Sequence, residues 1–252
     1  MQNFTKVDPG ALISAGFNKA LILQQPRAQA NIARLRRVHP DKTPQELISY
    51  INKWYLGTVT ASGTGAGTAA VVPNGVAQAS AAGLDLVTYL EASVFYILCL
   101  AEIHDLDLED LERRKMLVTA VLLGNSASSK LLDKVIGRTA PYWGKKLVEA
   151  LPMEAVKQAN KILGPRFVTK WGAKTGILVL GKQVPLMIGA AIGGGGNLLF
   201  GSFVIKAGYT ILGPAPETWA EPPHDDASQS STPADIIIEP EFSETQGNDL
   251  LT

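Results

Sequence analysis

A single cysteine, Cys99, and three histidines, His39, His104 and His224, are all the thiol and imidazole in 252 residues. One thiol excludes an intramolecular disulfide, which fits a reducing compartment. No HExxH, paired CxxC or Gly-x-Ser-x-Gly segment occurs, so zinc-hydrolase and serine-hydrolase chemistry lack their usual parts. Charge is scarce too, at 18% of residues against roughly 25% in an ordinary soluble domain. With 46% hydrophobic residues and a formal net charge of +0, wholesale disorder is excluded. A sustained alternation of apolar and polar residues is missing throughout, and with it the signature of a half-buried strand. The fold class expected is all-α.

The zero net charge is a sum of two opposed parts. Residues 214–252 hold nine acids and no Lys or Arg, leaving 14 acids against 23 bases over residues 1–213, a body of +9. Six prolines punctuate the acidic stretch among Ser, Thr and Gln. Such a composition cannot bury enough apolar surface to offset chain entropy. The expected organisation is therefore a helical domain over 1–213 and a disordered acidic tail over 214–252. Ile236, Ile237 and Ile238 form the tail's one apolar cluster. This is either chance within a tail, a docking strand for a partner, or a patch that docks on the same chain. The N-terminal segment carries Lys6 and Asp8, and Ala11–Leu23 is interrupted by Ser14, Gly16, Asn18 and Lys19. No signal peptide is expected from it.

Arg34, Arg36, Arg37 and Lys42 cluster around His39, and a second basic zone runs from Lys145 to Lys182. Bases at this density suit an anionic lipid surface or a solvated helix face. No nucleic-acid-binding signature accompanies them, and nucleic acid is not the expected partner.

Helix signals are clear in places. Thr43-Pro44-Gln45-Glu46 is a capping box with proline at the first helical position. Leu47, Ile51, Trp54 or Tyr55, and Thr58 follow at helical spacing. Pro26–Val38 reads as an earlier helix stopped by Pro40. Leu84–Ile103 reads as a core or membrane helix whose Glu91 and Glu102, three turns apart, lie on one stripe. Asp107 is the expected cap of a helix ending at Gly124, with Leu106 and Leu111 as a staple. Glu109–Arg113 and Asp110–Arg114 are expected i,i+4 pairs. Ser126–Ile136, Pro141–Leu151 and Met153–Leu163 read as short helices, the last ended by Gly164-Pro165.

Two long stretches have no charge at all: Trp54–Leu84 with 31 residues and Gln183–Ile205 with 23. About 20 apolar residues span a bilayer core, but these stretches are rich in glycine rather than leucine. Gly63 and Gly67 are four apart, as are Gly189 and Gly193, and Gly201 keeps the same frame. Such spacing lets helix backbones approach closely. Three readings follow: membrane-inserting hairpins that turn at Pro73-Asn74-Gly75 and break at Gly193–Gly196; close packing of soluble helices, which also allows a homo-oligomer; or a phosphate-binding loop. The strand context and closing Lys-Ser/Thr that the last requires are missing. Glu102, His104 and Asp105 form the one compact titratable cluster, a weak candidate metal site at a hairpin tip whose alternative is capping and solvation.

The segment Ala101-Glu102-Ile103-His104, followed by Glu112-Arg113-Arg114, resembles bacterial EcsC-like proteins. So do Arg138-Thr139-Ala140, Trp143-Gly144, Asn160-Lys161 through Gly164, Val168-Thr169-Lys170, and the run Ile188–Asn197. The resemblance covers roughly residues 30–215, and it is one of texture and order rather than of a catalytic signature. It implies a helical, membrane-associated bacterial protein whose namesake is encoded beside an ABC transporter linked to secretion. The family has no agreed activity, so no catalytic residue and no cofactor carries over. The expectation is a non-enzymatic, lipid-interacting or transport-accessory protein on the cytoplasmic side of a membrane, peripheral or hairpin-inserted. The alternatives are a soluble metal-dependent hydrolase using Glu102, His104 and Asp105, and a soluble interaction module acting through Ile236–Ile238.

Overall fold

The computed structural model describes residues 9–69, 75–124, 148, 151–181 and 186–219; of residues 9, 10, 12, 63–86, 171–181 and 186–195 it describes at most the backbone. The chain divides into two units, Met1–Trp219 and Ala220–Thr252, and every described residue lies in the first. Ile236–Ile238 therefore fall outside the described residues, as do all of Ser126–Ile136 and all of Pro141–Leu151 except Val148 and Leu151.

The described part is all-α. Six helices carry it: α1 (Pro9–Val38), α2 (Pro44–Ala69), α3 (Gly75–Ile103), α4 (Leu111–Leu123), α5 (Met153–Gly181) and α6 (Leu186–Leu212). α1 buries Ile13, Phe17, Leu21, Ala28, Ile32 and Leu35, a stripe at three- and four-residue spacing. It runs straight through Pro26 rather than starting there. Pro26 and Ile22 are exposed, so the carbonyl that the missing N–H leaves unpaired faces water. The same holds for α5, which continues past Gly164-Pro165 to Gly181 with Pro165 and Lys161 on its solvent side. Gly193–Gly196 does not break α6, which is one helix across them.

The capping box at α2 forms as its sequence reads. Thr43 N–H donates to Glu46 Oε2 at 2.8 Å, and Glu46 N–H to Thr43 Oγ1 at 3.3 Å. Inside α2 the buried stripe is Leu47, Ile51, Tyr55 and Val59, with Trp54 turned outward. On α3, Leu90, Val94, Ile97 and Ala101 are buried while Val87 is exposed.

α4 begins one turn later than expected. Its cap is Asp110, whose side chain accepts from Arg113 N–H at 2.9 Å, while Asp107 Oδ1 closes a local turn with Glu109 N–H. Gly124, at φ 80°, ends it. The expected pairs of Arg113 with Glu109 and of Arg114 with Asp110 give way to backbone carbonyls. Arg113 donates to Val148 O and Leu151 O, and buried Arg114 to Leu108 O, Glu109 O and Leu21 O. Burial holds the Arg114 guanidinium below its ordinary value. Lys170 of α5 donates from Nζ to Leu122 O and Leu123 O, satisfying carbonyls that the end of α4 leaves open.

The core of α2, α3 and α6 holds a tyrosine network. Tyr55 and Tyr96 stack with centroids 4.4 Å apart. Tyr55 Oη is 2.8 Å from Ser93 Oγ, Tyr96 donates to Asn52 Oδ1, and Asn52 donates to Tyr209 Oη. Burial pushes the Tyr55 hydroxyl up to about 12.

These contacts fix the directions of the helices. Asn52 and Leu56 of α2 meet Tyr209 and Gly201 of α6 respectively, so the two are antiparallel. Asn52 meets Tyr96 and Tyr55 meets Ser93, so α2 and α3 are antiparallel as well. The C-terminal half of α2 and the N-terminal halves of α3 and α6 thus lie at one end of the bundle. Both charge-free stretches of sequence gather there.

Candidate functional site

Among the described residues three places were legible in the sequence as sites: the turn at His104, the basic cluster and the glycines. A fourth was not.

The turn after α3 is a backbone device. Asp105 takes φ 54°, Asp105 N–H donates to Glu102 O and Leu106 N–H to Ala101 O. These are the two bonds of a Schellman stop, with an aspartate where glycine is usual. Burial lowers the His104 imidazole to about 4. The Glu102 carboxyl is raised, first by burial and then by Asp105 and Glu109. Among the described residues no three His, Cys, Asp or Glu side chains converge to hold a metal ion. Glu91, eleven residues before Glu102, is roughly 16 Å away along the helix, too far to share an ion with it.

The basic cluster lies at the end opposite the charge-free one. Arg36 sits over the Trp219 ring at 4.5 Å, and Trp219 Nε1 donates to Lys42 O at 2.9 Å. Arg36 and Lys42 thereby clasp the segment that follows α6, and residues 214–219 belong with the helical unit. Arg34 donates to Asn31 Oδ1 at 3.3 Å, and Arg37 is exposed. Some twenty helical residues separate Lys42 from Gly63, roughly 30 Å of rise. The bases and the charge-free end therefore cannot both meet one flat surface head-on.

Gly201 is where glycine lets two helices close. A Cβ there would lie 3.1 Å from Leu56 Cδ2 and 3.1 Å from Val59 Cγ2. This approach is made by α2 of the same chain, so Gly201 is not free for a second copy. Gly63 and Gly67 lie on α2 and Gly189 and Gly193 on α6, with surroundings outside the described residues. The outer face of α6 beside Gly201 is apolar: Leu198, Leu199 and Phe203 are 42%, 63% and 64% exposed. No helix among the described residues is long and apolar enough to cross a membrane.

The site without a sequence motif is a cleft of about 470 Å³ between α1, α2 and α3. Tyr50 and Trp54, one turn apart on α2, form one wall. Phe95 of α3 meets Trp54 edge-on, centroids 5.7 Å apart and planes at 65°. Arg34 and Asn31 of α1 and Glu91 and Thr88 of α3 line the same cleft. Cys99 also lines it and touches Asn31 Nδ2 at 3.9 Å; burial pushes its thiol up to about 12, which removes thiolate chemistry at neutral pH. The signal was present as Trp54, Glu91 and Arg34 in three separate segments, and only the parallel and antiparallel pairings bring them together.

Comparisons with protein families, with curated proteins and with solved structures find no match for this chain.

Proposed function

We propose that this protein is a non-enzymatic, membrane-associated helical protein that seats its charge-free end in the lipid interface. The observation that carries this is the exposed row Leu198, Leu199 and Phe203 midway along α6, level with Leu56 and Val59 of α2 and inside the second uncharged stretch. Withdrawing these three partly exposed side chains from water is worth about 4 kcal/mol, only millimolar affinity taken alone. The uncharged helix halves beside them supply the remainder. The resemblance to EcsC-like proteins supports the same reading. It replaces an approach through the cluster of Arg34, Arg36, Arg37 and Lys42 onto anionic lipid as the main contact, because Arg36 and Lys42 hold Trp219 at the far end, while Arg34 reaches the cleft beside Trp54.

Flotation with vesicles tests the proposal. The protein is expected to float with neutral phosphatidylcholine vesicles and to resist high salt, since burial of apolar surface is not screened. The Leu199→Glu/Phe203→Glu double variant is expected to lose most of that binding. Failure to float with vesicles of any composition, or equal flotation of the double variant, rejects it.

A further inference from the structure

The cleft between α1, α2 and α3 is lined by two opposite charges, Arg34 and Glu91, and neither is in an ion pair among the described residues. Arg34 makes one hydrogen bond, to Asn31, and no ion pair joins it to Glu91 or to another carboxylate among the described residues. Glu91 likewise has no hydrogen-bond or ion-pair partner among them. A guanidinium and a carboxylate lining one cleft without pairing are complementary to a ligand that carries both signs itself.

The aromatic walls narrow the chemistry. Trp54 and Phe95 meet at 65°, forming a corner, and Tyr50 extends the Trp54 wall by one turn. Trp54 and Tyr50 remain 48% and 44% exposed. A corner of aromatic faces with a carboxylate beside it is how proteins hold quaternary ammonium groups, which have no N–H to donate and are attracted by ring faces. Arg34 supplies a planar pair of donors for an oxyanion, the geometry that suits phosphate. The volume lies in the range of small-molecule sites.

The cleft's position narrows the source. Trp54 is the first residue of the first charge-free stretch and follows Lys53 directly. The cleft thus stands where the uncharged end of the bundle gives way to its charged half, the level at which headgroups lie if that end is seated in lipid.

We propose that this cleft binds the phosphocholine group, a methylated ammonium against Trp54, Phe95 and Glu91 with its phosphate on Arg34. Its source is either a lipid headgroup or the free compound. The headgroup assignment rests on the membrane reading above, whereas binding of the free compound does not.

Titration of the full chain with phosphocholine, followed by calorimetry and by tryptophan fluorescence, separates these outcomes. Saturable binding is expected. Choline, which lacks the phosphate, and glycerol phosphate, which lacks the ammonium, are each expected to bind about tenfold more weakly or less. Arg34→Gln and Glu91→Gln, both on the surface of the cleft, are each expected to weaken phosphocholine by about tenfold. Competition by phosphatidylcholine vesicles but not by phosphatidylglycerol vesicles assigns the headgroup as source; no competition from either assigns the free compound. No saturable binding overturns the proposal, even if the protein floats with vesicles. Equal affinity for phosphoethanolamine overturns the methylated ammonium, and unchanged affinity in both variants overturns the placement.

Discussion

At the scale of single residues, polar side chains here hold backbone together more than they meet one another. Arg113, Arg114 and Lys170 all end on carbonyl oxygens. His104 is a residue whose burial has a pH consequence. Its folded value of about 4 lies below the ordinary 6.5, so between these the unfolded chain takes up a proton that the folded chain refuses. Stability therefore falls as pH is lowered from 6.5 toward 4. Glu102 acts in the opposite sense, since its raised carboxyl keeps its proton in the folded chain and stabilises at the acid side. His104→Gln is expected to flatten the fall in urea midpoint over that window, and an unchanged slope refutes the assignment. The sequence marked Glu102, His104 and Asp105 as a cluster. It did not reveal that Asp105 is there for its backbone angle, because a left-handed aspartate has no spacing signature.

At the scale of elements, Gly201 decides how closely α6 lies on α2. Leucine at that position would have to displace Leu56 and Val59, and overpacking of this kind costs about 1–3 kcal/mol. Gly201→Leu is expected to lower the free energy of unfolding by that amount in denaturant titration. Gly201→Ala is expected to stay within about 1 kcal/mol of the parent, since Leu56 and the stiff Val59 must each give by a few tenths of an ångström while alanine gains up to about 1 kcal/mol of helix propensity. Caps and stops written into local sequence were legible: Thr43 with Glu46, and Gly124. The expected ends at Gly164-Pro165 and at Gly193–Gly196 were not ends. A proline inside a helix is tolerated more readily where the carbonyl it leaves unpaired faces water, and a sequence does not say which side of a helix that is. The cleft was hidden for a related reason. Its charges and rings come from three helices, and no local pattern announces a site shared between them.

At the scale of the whole molecule, charge is separated along the bundle as well as along the sequence. Arg36 and Lys42 hold Trp219 at the end remote from the charge-free one, and this clasp is the last described contact of the helical unit. Truncation after Trp219 is therefore expected to leave the midpoint of thermal unfolding unchanged. Truncation after Gly213, which removes the indole from Arg36 and Lys42, is expected to lower it. Equal midpoints for the two truncations would show that the clasp contributes nothing. The all-α class and the opposed charges of body and tail were legible from composition alone. The placement of the bases away from the uncharged helices was not, because it depends on which helices run parallel.

The pairing of α2 with α6 also sets a timetable for synthesis. Gly201 emerges 145 residues after Leu56, the side chain it packs against. At a ribosome's pace of roughly 5–20 residues per second, the Leu56 and Val59 face of α2 waits on the order of 10–30 s for its cover. Helix formation itself takes about a microsecond. For more than half of its synthesis the chain therefore carries the Leu56 and Val59 face of α2 without α6 over it, and whatever reaches that face first, chaperone or lipid, competes with α6 for it.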